Sequence, residues 1–278
     1  VTASRGTVVY LGFGTQSGSY GSKGGLATVD YIEADQLKYD TSERGTFTIV
    51  LSAMRPLDAL NWLRLLPEPA EAMFIVRQTF GDRTTETPAE LQICRRGYAA
   101  GPTPLSALKL EAGLRDASVL VAGASAMFAK WAYEFQAHTN QLPLFDQRRS
   151  DAAGGDPNIR YFHSYWRLGP DAALRIRVRP PPCRCWNFQL NNHWMESLDY
   201  RHHPIHTNNT LARADDSGET YTIIIAHMDP NSSGTFRGNW ISTVGHECGT
   251  MCFRWVAPEV DDAVLPHPTI EEVPFGRL

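Results

Sequence analysis

The chain is short of several things that would place it in familiar classes. Only five of its 278 residues are cysteines (Cys94, Cys183, Cys185, Cys248 and Cys252). That number is small and odd, which argues against a disulfide framework and leads us to expect a reducing, cytoplasmic setting. Lys and Arg total 26 against 30 Asp and Glu, a formal charge of -4. Phosphate neutralisation needs clustered cations, so a nucleic-acid partner is not expected. The alternating Arg175, Arg177 and Arg179 form too short a run to change this. No stretch reaches the roughly 18 apolar residues of a membrane helix. The most apolar one, Val119 to Ala129, lies between Asp116 and Lys130, so no membrane partner is expected either. A G-x-S-x-G elbow is missing. The glycines from Gly12 to Gly18 lack the following helix of a dinucleotide fingerprint.

What is present is an ordinary globular composition, 42% hydrophobic and 20% charged, with a hidden repeat. Thr46 to Pro56 (TFTIVLSAMRP) matches Thr220 to Pro230 (TYTIIIAHMDP). Each copy is followed by a loop and an Asn-Trp pair, Asn61-Trp62 and Asn239-Trp240. A further apolar strand follows each pair, Ala72 to Phe80 and Thr250 to Val256, while Val8 to Phe13 and Cys185 to Leu190 stand upstream. β-branched and aromatic runs bounded by Gly and Pro read as strands. We therefore expect 46–80 and 220–256 to form equivalent strands. Tyr161 to Arg179 reads as a hairpin turning at Gly169-Pro170. It has no counterpart before the first copy, and the chain starts at Val1, so an incomplete N-terminus is expected.

Between the copies, Ala117, Val121, Ala124, Phe128, Trp131 and Phe135 recur at helical spacing, with Thr103 as a cap and Pro104 in the first turn. Asn140, Pro143 and the cluster Gly154-Gly155-Asp156-Pro157 close the segment. The expected fold is mainly β: two antiparallel β-sandwich modules, at 1–102 and 158–278, with a helical insert and linker at 103–157.

The segment Cys185 to Arg201 (CWNFQLNNHWMESLDYR), with Ala226 to Pro230 (AHMDP) and Gly238 to Trp240 (GNW), resembles the family called domain of unknown function 1214. The resemblance covers about 161–257, and the first copy looks like a diverged version of the same module. It implies a jelly-roll-like antiparallel sandwich, sometimes preceded by another domain. No activity is established for that family, so it carries over no catalytic residue.

Candidate chemistry comes from comparing the copies. Shared residues read as structural: Met54/Met228, Pro56/Pro230, Asn61/Asn239, Trp62/Trp240 and Met73/Met251. Polar substitutions read as functional. Ala53 becomes His227, Arg55 becomes Asp229 and Glu68 becomes His246. His227 and Asp229, two apart on a strand, are expected on one face, with His246 near Trp240, as an acid/base set. The polar-aromatic stretch 191–200 supplies substrate-binding candidates Asn192, Trp194, Glu196 and Asp199, joined by Trp240. The alternative for this stretch is a hydrogen-bonded loop that locks the module. Cys183-x-Cys185, Cys248-x3-Cys252 and His202, His203 and His206 match zinc spacings poorly, so neither a metal nor another cofactor is expected. Arg77 to Glu86 reads as ion pairs toward the insert, or as an anion-binding arginine pair.

Three functions fit these residues. The first is a cofactor-independent acid/base enzyme acting on a small, partly apolar molecule. The second is a non-catalytic binding or scaffold protein, with the helix and β modules forming a homo-oligomer. The third is a metal enzyme using His and carboxylate ligands. Asymmetric polar substitution between the copies favours the first.

Overall fold

The computed structural model describes residues 1–18, 26–40, 45–67, 70, 72–97, 101, 104–233, 236 and 238–278. Thr103 and Glu68, a cap and a repeat position in the reading above, lie outside these. The elements in order are β1 (Thr2–Ser4), β2 (Tyr10–Gly18), β3 (Leu26–Glu33), β4 (Thr46–Ser52), β5 (Asn61–Arg64), β6 (Ala72–Thr79) and β7 (Glu90–Gln92). Helices α1 (Ala107–Phe135) and α2 (Gln147–Asp151) follow. Then come β8 (Ile159–Arg167), β9 (Ala172–Val178), β10 (Cys183–Leu190), β11 (His206–Asn208), β12 (Tyr221–Ala226), β13 (Asn239–Ser242), β14 (Cys248–Pro258) and β15 (Thr269–Pro274). The chain divides into two compact units, 1–126 with 151–155, and 127–150 with 156–278. The helical insert is thus shared between the two units.

Both units are pairs of sheets with matching strand order. The first has β5-β4-β1-β7 and β3-β2-β6; the second has β13-β12-β9-β15 and β11-β10-β14-β8. The repeat seen in the sequence is therefore a repeat of topology. It extends to register, since Ile49 pairs with Asn61 as Ile223 pairs with Asn239. The mainly β, two-module architecture with an α insert is as expected. One strand pair in each module is parallel, however: β4 with β5, and β12 with β13. The short register explains how a loop manages this. The chain need only return about three residues, roughly 10 Å, to start the partner strand.

The shared Asn closes each module in the same way. The Asn61 Nδ2 donates to the carbonyls of Lys38 (2.8 Å) and Thr48 (3.0 Å), and its Oδ1 accepts from Lys38 N (2.7 Å). Asn239 repeats this with Arg213 O (2.9 Å), Thr222 O (2.8 Å) and Arg213 N (2.7 Å). One amide therefore ties a strand to a segment more than twenty residues back, not merely to a local turn. The neighbouring Trp indoles donate to the end of the parallel partner, Trp62 to Ser52 Oγ (2.9 Å) and Trp240 to Ala226 O (3.1 Å).

Three expectations need correction. Met54 and Met228 are exposed at 84% and 57%, so their identity reflects no core packing. Met73 is exposed while Met251 is fully buried. These two face opposite sides, as a one-residue slip in a strand produces. Finally, β8 and β9 are no hairpin. The first pairs with β14 and the second with β12 and β15, so Leu168 to Asp171 carries the chain from one sheet to the other.

The second core is the more aromatic. Trp166, Trp186, Trp255, Phe162, Phe188 and Phe253 are buried there, against Phe13, Phe47, Leu11 and Ile49 in the first. Each such side chain contributes about 1.5–3 kcal/mol by burial. In β12, Ile223 and Ile225 face this core, while Ile224 and Ala226 face a second cluster with Trp240, Val273 and Phe275. Burial on both faces accounts for its unbroken apolar run. At the edge of this unit, His163 is sandwiched between Phe135 (5.3 Å) and Tyr161 (5.4 Å), with Phe145 edge-on at 5.1 Å. Burial, helped by the charge of Arg254, lowers its pKa to about 3. It is held as a neutral ring.

Candidate functional site

The expected acid/base set is dispersed. Strand β12 ends at Ala226, so His227 to Asp229 form a bend leading into a 3-10 turn, Pro230–Ser233, and the shared-face argument does not apply. Asp229 accepts from Asn231 N (2.8 Å) and Asn231 Nδ2 (2.8 Å), holding that turn. His227 Nδ1 bonds Thr243 Oγ1 at 2.8 Å, and Nε2 reaches Leu168 O at 3.4 Å. A carbonyl only accepts, so Nε2 carries a proton and the ring bridges two segments. His246 is exposed, and its backbone N–H bonds Thr243 O at 3.0 Å. No hydrogen bond or ion pair joins His227, Asp229 and His246 among the described residues.

The substrate candidates divide. Asn192 Oδ1 accepts from Trp194 N (2.9 Å) and Glu196 N (3.0 Å), and its Nδ2 donates to Glu196 Oε2 (2.7 Å). Asn192 and Glu196 thus fold the loop onto itself, with Met195 in the left-handed region at φ 65°. Asp199 pairs with Arg201 at 3.0 Å on the surface, and the hydrogen bond from that guanidinium lowers its pKa. Trp240 plays the part that Trp62 plays in the other module. Trp194 differs, being 59% exposed with its ring edge-on to His193 at 4.7 Å.

A different cluster is assembled beside it. In the antiparallel pairing of β8 and β14, Tyr165 lies opposite Thr250 and Cys248 opposite Arg167. Residues two apart share a strand face, so Tyr165 and Cys248 are diagonal neighbours. The tyrosine hydroxyl lies 3.3 Å from Cys248 Sγ and 2.9 Å from His193 Nδ1. The loop carrying His193 is anchored by Trp166 Nε1 to Asn191 O (3.2 Å), Asn191 N to Thr250 O (2.9 Å) and Thr250 N to Asn192 O (3.2 Å). Gly249 permits that approach, because a Cβ there would sit 2.2 Å from Asn191 O. Tyr165 is buried, whereas His193 and Cys248 are half-buried.

Chemically, these groups form a short proton chain. Either Cys248 donates to the Tyr165 oxygen and Tyr165 to His193 Nδ1, or Nδ1–H donates to Tyr165 and Tyr165 to the sulfur. His193 Nε2 makes no hydrogen bond among the described residues. Burial, then the hydrogen bond to Cys248 and its charge, push the Tyr165 pKa up to about 12. The phenol is therefore held neutral. The grouping of Tyr165, His193 and Cys248 escaped the sequence reading, which met Cys248 only in a poor zinc spacing. His193 stood within the polar-aromatic stretch, but the strand register that joins it to the others leaves no local signal.

Elsewhere, Arg77 bonds Gly154 O (2.7 Å) and Arg83 lies over Phe80 at 4.5 Å. All five cysteines are unbridged. Burial raises the Cys183 pKa to about 11, with Glu259 adding to it. No group of three or more His, Cys, Asp or Glu is placed to hold a metal among the described residues. A shallow cleft is lined by residues 169–172 and 272–274, with Asp171 and Glu272 as its ionisable groups. No helix is long and apolar enough to cross a membrane among those residues.

Fold and topology define the class: a duplicated β-sandwich protein with an α insert. The chain is similar to an uncharacterised protein of known structure from Burkholderia cenocepacia, with 43% identity and a TM-score of 0.90. The match covers 100% of this chain and 73% of that one. The chain belongs to that protein's family. It also aligns with the VPA0106 protein from Vibrio parahaemolyticus at 10% identity and a TM-score of 0.48, over 97% of this chain and 85% of that one. No protein-family model and no curated protein matches the chain.

Proposed function

We propose that the second β module is a site of cofactor-independent acid/base chemistry on a small, partly apolar molecule. Its centre lies at Tyr165, His193 and Cys248, with Trp194 as the apolar wall. The supporting observation is the continuous chain from Cys248 through Tyr165 to His193 Nδ1, ending at an exposed indole. An imidazole with one nitrogen held and the other open suits a general acid or base. The thiol is a weak acid at the other end of the chain and the reacting group for an electrophilic substrate. This places the chemistry away from His227, Asp229 and His246, because His227 and Asp229 spend their hydrogen bonds on the backbone and on neighbouring polar groups that hold the loops.

The test is alkylation of the intact protein by iodoacetamide across pH 6–10, followed by peptide mass. Exposed Cys94 serves as the internal control. Labelling of Cys248 is expected to follow a pH profile that shifts in His193→Ala and Tyr165→Phe proteins, with that of Cys94 unmoved. An unchanged Cys248 profile in both variants sinks the proposal. Trp194→Ala is expected to leave that profile in place while weakening binding of small aromatic molecules, measured by ligand-observed NMR.

A further inference from the structure

Helix α1 runs 29 residues from Ala107 to Phe135, yet Ala132 and Phe135 are its only buried residues. From residue 107 to 122 every position is exposed. This stretch is not polar: Leu108, Leu110, Leu114, Val119, Leu120 and Val121 are 79, 48, 62, 49, 40 and 65% exposed. A helix in water draws its stability mostly from packing an apolar face, and contiguous exposed apolar surface marks an interaction site.

The sequence pattern shows which face. Leu110, Leu114, Ala117, Val121, Ala124, Phe128, Trp131 and Phe135 alternate spacings of four and three without a break, the repeat of a helix-packing seam. The C-terminal end of this seam is already in use. Trp131 and Phe135 pack against Phe145 at 6.1 and 5.9 Å, and Phe135 against His163. The N-terminal end continues the same seam into solvent. No charged residue occupies a seam position; Lys109, Arg115 and Asp116 lie on the far side of the wheel together with Leu108 and Val119, and Glu111 and Ser118 border the seam.

We infer that residues 107–124 form an interface with the same helix of a second copy, running antiparallel. Such a pair has a two-fold axis, so the face must complement itself. It does so by size. With the axis between residues 115 and 116, Leu114 meets Ala117 of the copy, Leu110 meets Val121, and Leu120 comes over Gly113. Antiparallel packing also opposes the helix dipoles. The seam holds no charged pairs that would select a different protein. Eighteen residues give a face about 27 Å long and, at a helix width of about 10 Å, about 270 Å² in area. That is smaller than the roughly 800 Å² per partner of a standard interface, so a dimer with a dissociation constant of about 1–100 µM is expected.

Sedimentation equilibrium of the intact chain from about 1 to 500 µM tests this. The expected result is a monomer–dimer equilibrium in that range. Leu114→Glu and Val121→Glu should each weaken it at least tenfold, while Lys109→Glu on the far side leaves it unchanged. Circular dichroism checks that the β modules stay folded, which the exposure of these positions favours. A monomer throughout, or an oligomer indifferent to Leu114→Glu, overturns the inference. A monomer whose thermal stability falls in Leu114→Glu instead assigns the seam to the chain's own modules, and vesicle co-sedimentation would assign it to a lipid surface. Either result also overturns it. The iodoacetamide profile of Cys248 is independent of all these outcomes.

Discussion

The two β modules share a strand order and an Asn clasp but gather different titratable side chains: Tyr10, Tyr31 and Glu33 in the first, Tyr165, His193 and Cys248 in the second. The difference traces to one strand. Tyr165 comes from β8, which lies beside β14, and the sheet containing β6 has no counterpart of it among the described residues. The added strand lays a tyrosine diagonally across from Cys248, and the loop after β10 brings His193 over it. Duplication thus preserved what holds the sheets together, while the proposed site lies where the copies diverge in architecture. The substitutions Ala53 to His227 and Arg55 to Asp229, which look most informative in the sequence, lie in a loop where both side chains bond backbone and neighbouring polar groups.

The largest expected effect separates the modules by pH. His163 belongs to the second unit alone and is held neutral, with a pKa near 3 against 6.5 when unfolded. The unfolded state takes up this proton first as pH falls. The contribution to stability is therefore complete above 6.5 and is lost progressively between 6.5 and 3. At about 1.4 kcal/mol per pH unit the loss approaches 4 kcal/mol at pH 3.5. Urea unfolding followed from pH 7 to 3.5 should show the second module weakening first. His163→Phe should reduce that extra pH dependence, and equal acid sensitivity with and without the histidine would break the distinction.

A smaller effect probes what the modules share. Asn61→Ala and Asn239→Ala each remove three hydrogen bonds and strand backbone groups of Lys38 and Thr48, or of Arg213 and Thr222. Each should cost about 2–3 kcal/mol, more for Asn61, which is 3% exposed, than for half-buried Asn239. Denaturant melts of the two variants, read by peptide-resolved hydrogen exchange, should each destabilise the module carrying the change. A negligible cost at either site would mean that the clasp is dispensable. The smallest effect is expected at the conserved-looking methionines. Met54→Ala and Met228→Ala should each change stability by less than about 0.5 kcal/mol, because both side chains lie in solvent. A larger loss in calorimetry would point to an unrecognised partner for these tips.

Much of this architecture was legible beforehand. β-branched runs, Gly and Pro boundaries and the paired Asn-Trp dipeptides report local conformation, and local conformation is written in consecutive residues. The helix shows in its spacing for the same reason. The parallel strand pairs, the passage of the chain from β8 to β9 across two sheets, and the opposed faces of Met73 and Met251 were not legible. Each depends on which strands become neighbours and in what register, which no single segment carries.

The sequence by itself determined the strands, the helix and the duplication, because side-chain periodicity and turn chemistry act over a few residues. It also determined that Asn61 and Asn239 do the same work, since the same residue recurs in the same setting. Only the tertiary structure decided which polar groups meet. Tyr165, His193 and Cys248 stand 28 and 55 residues apart in the chain and touch because two strands pair and one loop is pinned. Proton transfer acts over about 3 Å, and contacts at that distance exist only once the sheet has closed.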